Sequence, residues 1–445
     1  MIRTASKSQI LRRSIATQAA PKPQITKLSN GTVVATESNP ASATSSVGVV
    51  FGSGSAAENP YNNGVSNLLG HVFRTENGAQ TAQQGFLLSS QVGRDFQSYV
   101  ATSRGSSPSS VLELLQKKLS TGISDASFAA SKDQVLKEVD AFETQDHAGK
   151  VLEHLHSTAF QNTPLSLPVR GTREAIETLE KADLESFAKN HFLASNAVIV
   201  GSGNVSHDEL VKAVESQVSL ASGEKPILKK QSSFLGSEVR LRDDTLPAAW
   251  ISIAAEGEPV SSPNYYVAQV AAEIFGSFVA SEPASRLQGI KLLDTIQEYH
   301  DCDSYDHFSL SYKDSGLWGF STVISNFHAI DDMVHFTLKQ WNRLTVSITP
   351  REVARGKALL KLKLASAAKD NASIATNLGA QTLALGSKPA LADVFAKIDA
   401  IEVSDVKKWA SDRLWDQDIA IAATGQIEGL LDYMRIRADM SMMRW

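Results

Sequence analysis

Apolar positions along this chain form short blocks and helical stripes, and the same succession of patterns occurs twice. Val47-Gly-Val-Val-Phe-Gly-Ser-Gly54 is followed by Pro60 and then by Val65, Leu68, Leu69 and Val72 at three- and four-residue steps. Trp250-Ile-Ser-Ile-Ala-Ala-Glu-Gly257, Pro263, and Val267, Val270 and Ile274 repeat the pattern, with the closing glycines and the prolines each 203 residues apart. Each set predicts a buried strand, a turn and an amphipathic helix. A second pair sits 222 residues apart. Asp183-Leu-Glu-Ser-Phe187 leads through Phe192 to Ala197-Val-Ile-Val-Gly-Ser-Gly203, and Asp405-Val-Lys-Lys-Trp409 leads through Leu414 to Ile419-Ala-Ile-Ala-Ala-Thr-Gly425. Two matches in the same order, at about half the chain length, predict a duplicated α+β unit. Stripes over 109–119, 132–142 and 349–364 predict further helices. The polar stretch Ser222-Gly-Glu-Lys-Pro226 through Lys229-Lys-Gln-Ser-Ser233 reads as a linker. The chain therefore divides into a unit at 25–220, a linker at 221–235 and a second unit at 236–445 that ends in a tail.

Composition narrows the function classes. At 445 residues the chain exceeds what one hydrophobic core covers. Its net charge of −5 lends no support to nonspecific nucleic-acid binding. The single cysteine, Cys302, rules out an internal disulfide and any Cys-rich metal, haem or iron–sulfur motif. With Asp301, Asp303 and Asp306 around it, its thiolate is disfavoured. The longest apolar runs, at 47–51, 197–200 and 419–423, fall far short of the roughly 20 residues that cross a bilayer.

The first residues read as an address. No acid precedes Glu37, while Arg3, Lys7, Arg12 and Arg13 punctuate a stretch rich in Ser, Ala, Thr and Ile. Arg3 and Lys7 share one helix face. This is the composition of a mitochondrial transit peptide, placed with its leader at 1–24; the plain alternative is a solvated basic tail.

The first repeat's helix carries Asn63-Gly-Val-Ser-Asn67-Leu-Leu-Gly70-His71. It resembles the metal-binding helix of the pitrilysin-type (M16) peptidases, the family of the mitochondrial processing peptidase. Active members carry an inverted zinc motif, H-x-x-E-H, in which two His share one helix face and the Glu polarises water. Another Glu, on a downstream helix, completes the site. Set on that motif, Asn67 stands at the first His, Gly70 at the Glu and His71 at the second His. Glu138, in Gln134-Val-Leu-Lys-Glu138-Val, stands at the downstream Glu. The base is missing and one ligand is an amide, a poor zinc donor. No catalytic residue, bound metal or cofactor is therefore assigned, and His71 and Glu138 are expected to serve as ordinary hydrogen-bonding groups. Glu153, His154 and His156 form another cluster, but His154 and His156 are two apart and point to different helix faces.

The resemblance runs from about Ile25 to the C-terminus. It includes Asn30-Gly31, Gly52-Ser-Gly-Ser-Ala-Ala-Glu-Asn and Ser309-Leu-Ser-Tyr312-Lys-Asp-Ser-Gly316-Leu-Trp-Gly319. Gly425-Gln-Ile-Glu, Leu431-Asp-Tyr-Met-Arg-Ile-Arg437 and Met440-Ser-Met-Met-Arg-Trp445 resemble the branch that holds the processing-peptidase β subunit and one core subunit of the respiratory cytochrome bc1 complex. The glycine-rich loop of the α subunit is absent, with only Phe275-Gly-Ser-Phe-Val-Ala near its place. The resemblance implies two homologous units, each a mostly antiparallel sheet packed with helices. It also implies a non-catalytic assembly subunit on the matrix side of the mitochondrial inner membrane. Its partners would be a related core 2 subunit, cytochrome b, cytochrome c1, the Rieske protein and small subunits. The competing readings are an active presequence-processing metallopeptidase subunit and a non-catalytic binding subunit of a soluble peptidase heterodimer.

Overall fold

In the computed structural model the described residues are 22–75, 78–105, 108–120, 122–224, 226, 230–299, 301–367 and 369–441. The expected leader up to residue 21, part of the expected linker and the last four residues of the tail lie outside them. Strands β1 (Gln24–Lys27), β2 (Val33–Ser38), β3 (Ser45–Phe51), β4 (Phe86–Val92), β5 (Gln97–Ser103) and β6 (Ala197–Gly203) form one sheet, in the order β1-β2-β6-β3-β5-β4. Strands β7 (Glu238–Arg242), β8 (Ala249–Glu256), β9 (Ser277–Val279), β10 (Ser304–Ser311), β11 (Gly316–Ile324) and β12 (Ile419–Gly425) form the other, in the order β7-β12-β8-β11-β10-β9. Each sheet has one parallel pair, β2 with β6 and β7 with β12, and is otherwise antiparallel. The duplicated α+β architecture is thus present in both halves.

The 222-residue repeat is reproduced down to its caps. Helix Lys181–His191 and helix Val403–Arg413 both begin in a capping box, Glu180 with Asp183 and Glu402 with Asp405. These carboxylates hold orphan N–H groups of the first turn. β6 and β12 then close on Gly203 and Gly425, whose φ angles are +83° and +92°. A Cβ there would come within 2.3 Å of the Thr44 carbonyl and 2.1 Å of the Ala248 carbonyl, so only glycine fits.

The 203-residue repeat needs a correction of one residue. Val47, Val49 and Phe51 face the inner core of the first sheet, and Ile251, Ile253 and Ala255 face that of the second, an interval of 204. Trp250, which the sequence set against Val47, points to the opposite face and packs on His147. The turn between strand and proline is one residue longer in the first half. Because side chains alternate along a strand, one residue of slip exchanges the two faces.

The outer faces of the sheets are covered reciprocally. Helix His147–Ala159, from the first half, lies on the second sheet, with Val151, Leu155 and Ala159 against Ala254, Leu317, Ala420 and Ala422. Helix Asn371–Leu385, from the second half, lies on the first sheet, with Ala375 and Leu378 against Ala35, Val50, Val198 and Val200. At Gly379 a Cβ would meet Val50 Cγ2 at 2.3 Å, so the helix lies directly on the sheet. The central strands, buried on both faces, owe half of their cover to the other half of the chain.

Candidate functional site

The helix that bears the motif positions, Val65–Thr75, buries Val65, Leu68, Leu69 and Val72 against the long helix Asp125–Gln145 and against Ile176, Leu179, Leu184 and Phe187. Its remaining face turns towards β4. A buried carboxylate holds its start. Glu58 accepts hydrogen bonds from the Gly64 N–H (2.8 Å), the Ser66 N–H (2.7 Å) and the Asn63 side-chain amide (2.8 Å). Burial pushes its pKa up to about 7 against the pull of these donors. Glu58 lies seven residues ahead of Val65, outside the first-turn positions where an acid signals a helix start, so only the fold shows its role. Replacing Glu58 with Ala strands three buried donors, which costs roughly 3 kcal/mol. Denaturant unfolding of the purified chain should show the corresponding fall in midpoint.

Of the four motif positions, the structure brings two together. His71 is 3% exposed and its Nε2 lies 3.2 Å from Oε2 of Glu138, whose side chain is half exposed. Gln134 donates to the other Glu138 oxygen at 3.0 Å. Burial, aided by the charge of Arg74, lowers the His71 pKa, and Glu138 opposes this. Asn67 turns its amide N–H to the Arg170 carbonyl at 3.1 Å. At Gly70 there is no side chain, and the space beside it is taken. Ser90 Oγ donates to the Gly70 carbonyl at 3.0 Å, and a Cβ at Gly70 would stand 3.1 Å from Ser90 Oγ and 3.5 Å from Val92.

These residues do not fit a catalytic zinc ion. Such an ion requires three protein ligands and an open position, and the base must reach the bound water. His71 and Glu138 supply two donors, while Asn67 is engaged with a backbone carbonyl. Among the described residues no three His, Cys, Asp or Glu side chains are gathered as a metal site.

The second cluster divides, with Glu153 and His156 on one side of the helix and His154 on another. Glu153 pairs with Arg94, and His156 bonds the Leu152 carbonyl and the Tyr312 hydroxyl. His154 lines a polar cleft of about 1200 Å³ with Glu58, Asp183, Asn190, His191 and Lys230. That cleft is lined by none of Asn67, Gly70, His71 and Glu138. Burial, then Asp301 and Asp303, push the Cys302 thiol up to about 12, which leaves no thiolate.

Residues 33–173 match the family model described as insulinase (peptidase family M16), and residues 178–360 match the one described as peptidase M16 inactive domain. Over its whole length the chain is 62% identical to the mitochondrial cytochrome b-c1 complex subunit 1 of Saccharomyces cerevisiae, with each chain fully covered. The chain belongs to the M16 peptidase family. It is also 37% identical, again over all of both chains, to a probable mitochondrial-processing peptidase subunit beta of Schizosaccharomyces pombe. Among solved structures it resembles a chain of complex III2 from Candida albicans, with a TM-score of 0.90 and 41% identity over 94% of this chain and all of the other. The junction between the two matched segments, at 173 to 178, falls ahead of β6, which completes the first sheet. In this M16 chain each sheet is built from one consecutive stretch, 24–203 and 238–425, so the boundary between the structural units lies after β6 and not at 173 to 178.

Proposed function

We propose that this chain is a non-catalytic structural subunit, core 1, of the ubiquinol–cytochrome c reductase complex of the respiratory chain. In this reading it sits peripherally on the matrix side of the mitochondrial inner membrane. It assembles with a core 2 subunit, cytochrome b, cytochrome c1, the Rieske protein and small subunits. The observation that carries the reading is the 62% identity over the full length of both chains with the yeast complex subunit. Residues Asn67 and Gly70 support the lack of peptidase activity, since neither supplies the missing ligand or the base. No helix among the described residues is long and apolar enough to cross a membrane, which suits a peripheral place. The acid-free leader suits import into mitochondria. The interval 221–235 is kept as the division between the two units.

The second reading, a presequence-processing peptidase subunit, draws on the likeness to the probable β subunit. It would require Asn67, His71 and Glu138 to hold zinc with no carboxylate at Gly70. Two measurements separate the readings. Blue-native gels from a strain lacking this chain should show loss of the assembled reductase; normal assembly and activity would overturn the core 1 reading. Metal analysis with a presequence-cleavage assay on the pure chain should find neither stoichiometric zinc nor turnover.

A further inference from the structure

Two tight turns, one from each half, meet against the exchanged helix His147–Ala159. Gly93-Arg94-Asp95-Phe96 joins β4 to β5, and Tyr312-Lys313-Asp314-Ser315 joins β10 to β11. Asp95 accepts from the Lys313 N–H at 2.8 Å. Arg94, itself buried, pairs with Glu153 of the helix, donates to the Leu165 carbonyl at 3.3 Å and lies 5.9 Å from the centre of the Tyr312 ring. At the centre is His156, 1% exposed. Its Nδ1 is 2.7 Å from the Leu152 carbonyl and its Nε2 is 2.6 Å from the Tyr312 hydroxyl.

The proton positions follow from chemistry. A carbonyl only accepts, so Nδ1 carries the hydrogen and Nε2 receives the Tyr312 O–H. The ring is then neutral. A second proton would occupy the Nε2 lone pair that accepts the Tyr312 O–H and place a cation beside Arg94 in a largely buried site. The acids that act on Tyr312 are Glu153, already paired with Arg94, and Asp95, which has Asp314 beside it on the opposite turn. The other cation on the turns is Lys313.

We propose that His156 and Tyr312 form a proton-operated latch, which fastens the second half's turn to the exchanged helix while the imidazole is neutral and releases it on protonation. Burial and then the charge of Arg94 hold the imidazole pKa well below its ordinary 6.5, with the Leu152 bond opposing. A base whose pKa is depressed on folding binds fewer protons folded than unfolded. Its contribution is therefore whole above about pH 6.5 and is lost as pH falls, by up to about tenfold in the closing equilibrium per unit.

Hydrogen exchange followed by mass spectrometry on the intact, detergent-purified complex tests this. Rates are corrected for intrinsic exchange between about pH 7.5 and about pH 5. In the natural protein, protection of 147–159 and 312–315 should fall roughly tenfold or more over that range, while β6 and β12 stay protected. His156→Gln, whose amide oxygen accepts from Tyr312 without titrating, should lose most of this response at 312–315, while His154, whose pKa burial also lowers, leaves some in 147–159. Tyr312→Phe should exchange faster at pH 7.5 already. An unchanged pH response in His156→Gln overturns the proposal. So does Tyr312→Phe behaving like the natural protein at pH 7.5, a comparison that serves even if the histidine variant fails to assemble.

Discussion

Expressed as separate polypeptides, residues 22–220 and residues 236–441 should each fail to reach a native state, and should fold when produced together. The reason is the helix exchange. Without helix Asn371–Leu385, the first sheet exposes Ala35, Val50, Val198 and Val200 across its centre. Without helix His147–Ala159, the second exposes Ala254, Leu317, Ala420 and Ala422. Burying a Val or Leu side chain is worth roughly 1.5–3 kcal/mol, and a whole domain is stable by only about 5–15 kcal/mol. Each lone half exposes its sheet's set together with the apolar face of its own exchanged helix, Val151 and Leu155 or Ala375 and Leu378, and so loses much of that margin. Each lone half should be aggregated or should bind a hydrophobic dye, with near-ultraviolet circular dichroism appearing only on co-expression. A soluble, cooperatively folding single half would contradict the prediction. In the intact chain, Gly379→Val should act in the same direction by wedging helix and sheet apart. It adds side-chain atoms where even a Cβ would lie 2.3 Å from Val50, an overpacking cost of about 3 kcal/mol or more, readable as a fall in Tm.

Restoring the motif should not restore the metal centre. Asn67→His with Gly70→Glu supplies the missing ligand and base on paper. The glutamate must then displace Ser90, whose hydroxyl holds the Gly70 carbonyl and stands 3.1 Å from where the new Cβ would lie. The new imidazole must abandon the anchorage that Asn67 has on Arg170, and Glu138 must turn from Gln134. Misplaced supporting groups typically cost about 10–100-fold in affinity. Titration calorimetry and metal analysis of the double variant should therefore find weak, substoichiometric zinc and no presequence cleavage. Adding Ser90→Gly should tighten zinc measurably, because it clears the obstructed space. Stoichiometric, tight zinc in the double variant alone would show that the surrounding geometry still suits the ion.

Much of the architecture was legible because central strands are apolar on both faces and their bounding residues are chemically constrained. Gly203 and Gly425 mark turns that no other residue can make, and Asp183 and Asp405 mark helix starts. The 203-residue spacing misled by one because glycines and prolines mark turns, while the faces of β3 and β8 are set by sheet register. The motif positions were legible as residue types. Their state was not, since Ser90, Val92 and Arg170 reach them from distant segments. Glu58 reaches the helix start only because the turn at 59–64 folds back on it.

What the sequence by itself determined is the duplicated plan, the basic, acid-free composition of the first residues and the lack of a side chain at Gly70. Each of these depends on local pattern or on what one side chain lacks. Only the tertiary structure decided that the two halves exchange helices. It also decided that His71 faces Glu138, and that His156 closes on Tyr312 across 156 residues. Contacts of that kind depend on which surfaces meet once both sheets have formed, and apolar periodicity says that a face is buried without saying what buries it.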